Sequence, residues 1–135
     1  MPSSRHVDVI IVNYRASADT LVAVQSLMPW RFGTLWLVDN SEDPAEAEML
    51  ARHTSQLPWT RRLLPGTNLG FGRGCNLAFG KSNAPYCLLL NPDALLSATD
   101  LETLVEALEA DSSLAAVAPR TFWDRNHRFL LPPAF

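Results

Sequence analysis

The 135-residue chain lacks several features that would assign it to a common class of protein. It has no run near the ~18 apolar residues that a membrane span requires, and residues 1–6 contain no apolar stretch typical of a signal peptide. Its only two cysteines, Cys75 and Cys87, have neither metal-ligand spacing nor the partners of a disulfide framework. We therefore expect a cytoplasmic protein without a transmembrane segment, working in solution or at the inner face of the membrane.

The chain also lacks the charge and catalytic motifs of other classes. Its net charge is only -3, without a block of like charges, which argues against a general nucleic-acid binder. The three histidines are scattered, and no serine lies in a G-x-S-x-G elbow, so metal-cluster and hydrolase chemistry have no support. A hydrophobic content of 47% can form a core, and the length predicts a single domain over residues 1–135.

Apolar strand-length runs alternate with helical patterns along the chain. Strands are predicted at 7–12, 35–38 and 86–90, with weaker candidates at 60–64 and 114–117. Helices are predicted from Ser17 as cap to about Met28, from an Asp43 capping box to about His53, from the glycine-rich stretch to Ser82, and from a second capping box at 99–102. This alternation predicts an α/β fold with three α/β/α layers and a mainly parallel sheet. Residues 121–135 are predicted to hold a hairpin.

Polar residues follow three of the predicted strands. In parallel sheets, ligands bind beyond the carboxyl ends of the strands, so these positions are candidates for a polar ligand site. Each group could instead begin a turn or cap the next helix. The three groups are Asn13-Tyr14-Arg15, Asp39-Asn40-Ser41 and Asn91-Pro92-Asp93. A carboxylate such as Asp93 suits a hard divalent cation that bridges a diphosphate.

A glycine-rich segment, N-L-G-F-G-R-G-C-N at 68–76, precedes the third predicted helix. Glycines allow close backbone approach to a ligand, and the helix start could offer amides to an anion. Arg73 is the candidate phosphate contact. The spacing fits neither the dinucleotide fingerprint nor a Walker A loop, and a flexible loop without function is the alternative.

Four segments together resemble the family 2 glycosyltransferases, particularly the rhamnosyltransferase-like branch. They read V-D-V-I-I-V-N-Y-R at 7–15, L-V-D-N-S at 37–41, the glycine-rich segment at 68–76 and L-L-L-N-P-D-A at 88–94. The resemblance covers about residues 7–120. It implies a GT-A (nucleotide-diphospho-sugar transferase) type fold that binds a nucleotide-sugar donor for inverting transfer to an acceptor hydroxyl in polysaccharide or cell-envelope glycan synthesis.

The resemblance also implies roles for individual residues. The nucleotide-sugar site would contain Asn13, Tyr14, Arg15, Asp39, Asn40, Gly70, Arg73, Asn76 and Asn91. Asp93 would hold Mn²⁺ or Mg²⁺. Because Asn91 replaces the first acid of the family's D-x-D pair, we expect only a weak dependence on the metal. No catalytic base is assigned, and we expect the chain to end before the part that completes catalysis, with residues 121–135 as the start of the acceptor-binding half.

Other interpretations remain open at this point. The chain could be a non-catalytic nucleotide-binding or assembly module derived from the same fold. A nucleotidyltransferase is less well supported, because the loop after the first strand, N-Y-R-A-S, contains no glycine. The donor could be dTDP-rhamnose or a UDP- or GDP-sugar, the acceptor could be a glycan or a lipid-linked group, and an uncovered apolar face could support a homodimer.

Overall fold

A computed structural model of the chain describes residues 7–30 and 32–132. Strands and helices alternate as the sequence predicts. The elements are β1 Val7–Asn13, α1 Ser17–Leu27, β2 Leu35–Asp39, α2 Pro44–Thr54, β3 Thr60–Leu63, α3 Phe71–Phe79, β4 Tyr86–Leu89 and α4 Ala98–Ala110. Residues 1–6, which lack a signal-peptide pattern, and residues 133–135 of the predicted hairpin segment lie outside the described residues.

The four strands form one parallel sheet in the order β3-β2-β1-β4. β1 lies inside the sheet, and all seven of its residues are buried. A strand of this kind has to be apolar on both faces, which explains its run of valine and isoleucine. The register pairs Asn13 with Asp39, so the polar ends of β1 and β2 lie side by side.

Helices cover both faces of the sheet, which makes three layers. One face of β1, with Val9 and Ile11, packs against α1 and α2, and α4 packs Leu101 and Val105 against Val7 of the same face. The other face of β1, with Ile10 and Val12, packs against α3 through Cys75 and Ala78. The predicted α/β/α fold with a parallel sheet is therefore confirmed.

A buried acid on the α3 face of β1 ties neighbouring elements together. The carboxylate of Asp8 accepts hydrogen bonds from Thr34 N (2.7 Å), Trp36 Nε1 (2.9 Å) and Ser82 Oγ (2.6 Å). Three donors compensate the cost of burying this charge. Asp8 therefore fixes the beginning of β1 to β2 and to the turn before β4.

Both cysteines are free thiols. Burial raises the pKa of Cys75 and of Cys87, so both behave as small packing residues rather than as reactive thiolates. None of the helices in the described part of the chain is long and apolar enough to cross a membrane.

Two helix starts differ from the sequence prediction. Ser17 is not the cap of α1: the N-cap is Ala16 without a side-chain bond, and the Ser17 hydroxyl instead donates to Glu46. α4 is capped by Ser97, not by the predicted box at Thr99. Ser97 has the extended backbone that a cap requires, and it exchanges hydrogen bonds with Asp100.

The segment 114–117 is not a strand, contrary to the sequence prediction. It contributes to the wall of an apolar groove of about 680 Å³ that also contacts β4 and α4. Among the described residues β4 pairs only with β1, and no described strand pairs with this segment. Apolar residues such as these form a β-strand only where the backbone of a neighbouring strand can pair with theirs.

Residues 121–131 form a short antiparallel ribbon. Phe122 and Leu130 are bridged, and Asp124 closes the turn by accepting hydrogen bonds from the backbone N–H groups of Arg128 and Phe129, both at 2.9 Å. The Phe129 N–H, with the other turn amides, lowers the pKa of the Asp124 carboxyl.

Candidate functional site

The polar side chains that follow β1, β2 and β4 lie at one edge of the sheet. These three strands are parallel, and β1 is paired with both of the others. Their carboxyl ends therefore point the same way, as expected for a ligand site in an open α/β sheet.

The side-chain amide of Asn13 organises the end of β1. Its Nδ2 lies 3.0 Å from Asp39 Oδ1, 3.1 Å from Ser41 Oγ and 3.1 Å from Glu46 Oε2, while its Oδ1 accepts a 2.7 Å hydrogen bond from Thr20. Asn13 is fully buried. An amide with two N–H donors supplies hydrogen bonds to the surrounding carboxylate and hydroxyl oxygens, which stabilises them in a dry environment. This side chain therefore holds the site together.

Asp39 is buried at the end of β2. Among the described residues, all hydrogen-bond donors to its carboxylate bind the same oxygen, Oδ1. Its Oδ1 accepts from Asn13 Nδ2 and, at 3.1 Å, from the backbone N–H of Ser41. The residue also lines a shallow hollow with Leu50, Arg62 and others. One side of the carboxylate is thus fixed by the protein, and Oδ2 remains available as an acceptor for a ligand N–H or hydroxyl.

Glu46 belongs to the site although the sequence assigned it to a helix cap. Asp43 is the N-cap of α2 as predicted, but its side chain accepts from Ala45 N. Glu46 turns away from the helix start and accepts from Ser17 N (3.0 Å), Ser17 Oγ (2.9 Å) and Asn13 Nδ2. It therefore joins α2 to the turn between β1 and α1.

That turn carries Tyr14 and Arg15, both exposed. Arg15 has a positive φ of 49°, which is unusual for a residue with a side chain, and its N–H donates to Ser41 Oγ at 2.8 Å. The Arg15 guanidinium carbon lies 5.7 Å from the centre of the Tyr14 ring. The buried network thus presents one aromatic ring and one cation to solvent beside Asp39.

The predicted third helix begins within the glycine-rich segment rather than after it. α3 begins at Phe71, and only Gly70, with φ 77°, has a backbone that requires glycine. Gly74 lies inside the helix, where a Cβ would come 3.1 Å from Val12 Cγ1 and 3.3 Å from Asn40 Nδ2. The glycine at 74 therefore allows α3 to pack closely on the sheet. α3 also ends at Phe79, before Gly80, rather than at Ser82.

Asn40 connects the second strand end to the start of α3. Its Nδ2 donates to the carbonyl of Gly70 at 3.0 Å, and its buried Oδ1 has no hydrogen-bond partner among the described residues. Close by, Glu42 accepts from Asn68 N at 2.5 Å, and this hydrogen bond lowers the pKa of its carboxyl. The loops at 40–42 and 68–70 are therefore held together.

The remaining candidates are exposed. Gly70 has no side chain to cap α3, and no side chain among the described residues caps the helix start. Arg73 and Asn76 lie on the exposed surface of that helix. Free amides and a guanidinium at one helix start favour an anion.

Asn91 and Asp93 follow β4 in a turn closed by Ala94 N and Asn91 O at 3.0 Å, and both are exposed. No group of three His, Cys, Asp or Glu residues gathers as a metal site in the part of the chain that the structure describes. A single carboxylate fits a Mg²⁺-like ion only if a diphosphate supplies further oxygen ligands. The donor set at Asp93 is therefore adequate only for a cation that arrives with a nucleotide.

Comparisons with known proteins agree with this fold. The model of the family described as Glycosyl transferase family 2 matches residues 8–132. No curated protein matches the sequence.

Two solved structures are similar in fold. One is a mannosyltransferase, PcManGT from Pyrobaculum calidifontis, in complex with GDP-Man and Mn²⁺, with TM-score 0.65 and 17% identity over 82% of this chain and 35% of that chain. The other is S. aureus TarS 1-349, with TM-score 0.65 and 16% identity over 87% of this chain and 40% of that chain. The likeness shows a GT-A type arrangement of sheet and helices, and the chain spans well under half of each matched structure.

Proposed function

Because this chain belongs to glycosyl transferase family 2, we propose that it binds the nucleotide-diphospho-sugar donor of an inverting glycosyltransferase. The donor we propose is dTDP-rhamnose or a UDP-sugar, in keeping with the resemblance to the rhamnosyltransferase-like branch. Residues 7–120 would form the donor-binding core, and residues 121–135 would begin the acceptor-binding half.

The buried carboxylate of Asp39 carries the proposal. The protein holds its Oδ1 with two hydrogen bonds and leaves Oδ2 for a ligand at the carboxyl end of a parallel strand. A carboxylate held in this way suits the imide N–H of uracil or thymine, which needs one strong acceptor. Tyr14 and Arg15 lie on the adjacent turn and can contact the base or its ribose.

The diphosphate would lie toward the start of α3. Its amides and Arg73 offer positive charge, and the clamp between Asn40 and Gly70 fixes where the helix begins. Asn76 and Asn91 can donate hydrogen bonds to phosphate or sugar oxygens. The positive φ at Gly70 lets the backbone approach the ligand closely.

A divalent cation, Mn²⁺ or Mg²⁺, fits Asp93 when the diphosphate completes its coordination. The ion would neutralise charge on the departing nucleoside diphosphate. Asp93 would hold it, with the amide oxygen of Asn91 as a second contact. With one carboxylate instead of two, we expect weak metal dependence.

The proposed reaction is a direct displacement. The oxygen of an acceptor hydroxyl bonds to the anomeric carbon, the bond from that carbon to the diphosphate breaks, and a base takes the hydroxyl proton. No residue of this chain is assigned as that base. We propose that the acceptor is a glycan or lipid-linked hydroxyl used in cell-wall or polysaccharide synthesis, in the cytoplasm or at the inner face of the membrane.

A non-catalytic nucleotide-binding or assembly module is the second candidate. Such a module needs only the donor site and no base. A homodimer would provide one way for such a module to cover its apolar groove. Donor hydrolysis or transfer by the 135-residue chain would exclude this candidate.

Thermal unfolding with UDP, dTDP, GDP and CDP, each with and without Mn²⁺, tests the proposal. A ligand at 100-fold its Kd stabilises the folded state by about 2.7 kcal/mol, which raises the Tm of a chain of this size by roughly 10 °C. We expect a shift with UDP or dTDP that Asp39→Asn removes. Asp93→Asn should remove only the part of the shift that depends on Mn²⁺.

Substitutions of two exposed acids, Asp19→Asn and Glu102→Gln, provide matched controls. Both variants should show the full nucleotide-dependent Tm shift. Asp39→Asn retains the size of the side chain, and its unfolding without ligand shows whether the variant is folded. No shift with any diphosphate in the folded wild-type chain would exclude donor binding by this chain alone. A shift that survives in Asp39→Asn would place the nucleotide elsewhere.

A further inference from the structure

The ribbon at 121–131 has two distinct faces. Trp123 N donates to Phe129 O at 2.9 Å, and Phe122 is bridged to Leu130. Directly opposed residues of an antiparallel pair share a face, and successive residues alternate between faces. Trp123 and Phe129 therefore lie together on one face, and Phe122 and Leu130 lie on the other.

The ribbon leaves large apolar side chains in solvent. Trp123 is 76% exposed, Phe129 66% and Leu130 53%. Single exposed apolar residues are ordinary in folded proteins, but Trp123 and Phe129 share one face of the ribbon and form an exposed aromatic patch there, with Leu130 exposed on the opposite face. The ribbon folds without burying them, because Asp124 closes its turn through backbone hydrogen bonds.

Positive charge is concentrated in the same segment. Residues 120–132 contain three exposed arginines, Arg120, Arg125 and Arg128, and one acid, Asp124. The 119 residues before them contain eight basic and thirteen acidic residues. The segment that carries the exposed aromatic residues therefore has a net charge of +2, in a chain that is otherwise acidic.

We propose that this ribbon binds an anionic phospholipid surface. Tryptophan, phenylalanine and leucine side chains partition into the boundary between headgroups and acyl chains, and nearby arginines pair with lipid phosphates. A nucleic acid would use the arginines but would leave the apolar face of the ribbon uncovered. The lipid surface satisfies both features, and this function uses none of the residues proposed to bind the donor.

Vesicle sedimentation tests the proposal with the 135-residue chain. Vesicles of phosphatidylcholine are compared with vesicles that also contain phosphatidylglycerol, and we expect binding mainly to the anionic vesicles. Arg125→Gln with Arg128→Gln should weaken that binding about 25-fold, at about fivefold for each arginine. Trp123→Ala with Phe129→Ala should reduce binding to the level of vesicle-free controls.

Matched double variants remove the same chemistry elsewhere on the surface. Arg52→Gln with Lys81→Gln removes two exposed cations, and Val22→Ala with Met49→Ala removes two exposed apolar side chains. Both should bind vesicles as the wild type does.

Three results would overturn the proposal: no binding of the wild-type chain to anionic vesicles, an equal loss in the control variants, or a dimer that Trp123→Ala with Phe129→Ala dissociates while vesicle binding is absent. The last would identify a self-association surface. Because the ribbon shares no residue with the proposed donor site, the nucleotide-dependent Tm shift should be unchanged in the ribbon variants. Either proposal can therefore fail alone.

Discussion

Replacing Asn13 by aspartate should make the stability of the protein strongly dependent on pH. Nδ2 of Asn13 lies about 3 Å from oxygens of Asp39 and Glu46, so Asn13→Asp places a third carboxylate between two others. Like charges at this distance cannot all be ionised in a buried site. The new carboxyl should therefore remain protonated in the folded protein, with its hydroxyl replacing one of the two amide N–H donors.

The magnitude follows from the proton that the folded state retains. An aspartate in the unfolded chain titrates near pH 3.9, and each pH unit above that value costs about 1.36 kcal/mol if the folded carboxyl stays protonated. The cost attributable to ionisation is about 1.5 kcal/mol at pH 5 and about 4 kcal/mol at pH 7. Because the folded-state pKa is raised, this cost is absent below the unfolded pKa and grows as the pH rises.

Urea unfolding at pH 5 and pH 7 measures the effect as a difference from the wild type. Asn13→Ala should cost about 3 kcal/mol at both pH values, because it removes donors from buried acceptors without adding a charge. Asn83→Asp, at an exposed site, should cost little at either pH. If Asn13→Asp destabilises the protein equally at pH 5 and pH 7, the amide does not lie between two ionised carboxylates.

Three further predictions concern packing, capping and the ribbon. Gly74→Ala should destabilise the protein by about 1–3 kcal/mol in urea unfolding, because the new Cβ would contact the sheet. Gly72→Ala, whose Cβ would meet no atom, should be neutral or stabilise the protein by up to about 1 kcal/mol. Equal effects of the two substitutions would contradict the close approach of α3 to the sheet. Ser97→Ala should lower the free energy of unfolding by about 1 kcal/mol, and Thr99→Ala should lower it much less. The reverse order would show that Thr99, not Ser97, caps α4. The hydrogen bonds to Asp124 lower its pKa, so they stabilise the ribbon above the ordinary aspartate pKa and are lost as the pH falls through the lowered value. The protection of the turn amides, measured against their intrinsic exchange rate at the same pH, should therefore decrease over that pH range, and Asp124→Asn should remove this dependence.

The strands and their polar ends could be predicted from the sequence because both depend on local pattern. A run such as V-D-V-I-I-V can only be buried on two faces, and the polar residues after it then lie at the ligand-binding edge of the sheet. β1, β2 and β4 accordingly agree with the predicted runs to within a residue or so.

Other features could not be predicted because hydrogen bonds from distant parts of the chain compete with the local sequence pattern. Glu46 has the position of a capping-box acid, but the donors of Asn13 and Ser17 reach it from elsewhere in the chain, and Asp43 already caps the helix through Ala45. Around the start of α4, S-A-T-D-L-E contains two overlapping cap patterns, and only the backbone conformation of Ser97 decides between them.

Contacts between distant segments are likewise invisible in the sequence. The contact between Asn40 and Gly70 joins residues 30 positions apart, and no local pattern indicates it. Segment 114–117 has the local pattern of a strand, but a strand also requires a neighbouring strand to pair with, and the sequence does not show whether one is present.

β4 is the strand at one edge of the described sheet, so its outer backbone groups pair with no described strand. Tyr86–Leu89 has no charged residue and no proline within it, and Leu89 is exposed. Proteins commonly protect such edges with lysine, proline or a bulge, because an unprotected edge is a template for strands of other chains. Among the described elements, β4 is therefore the strand at which another chain could extend the sheet, and its length of four residues limits that pairing.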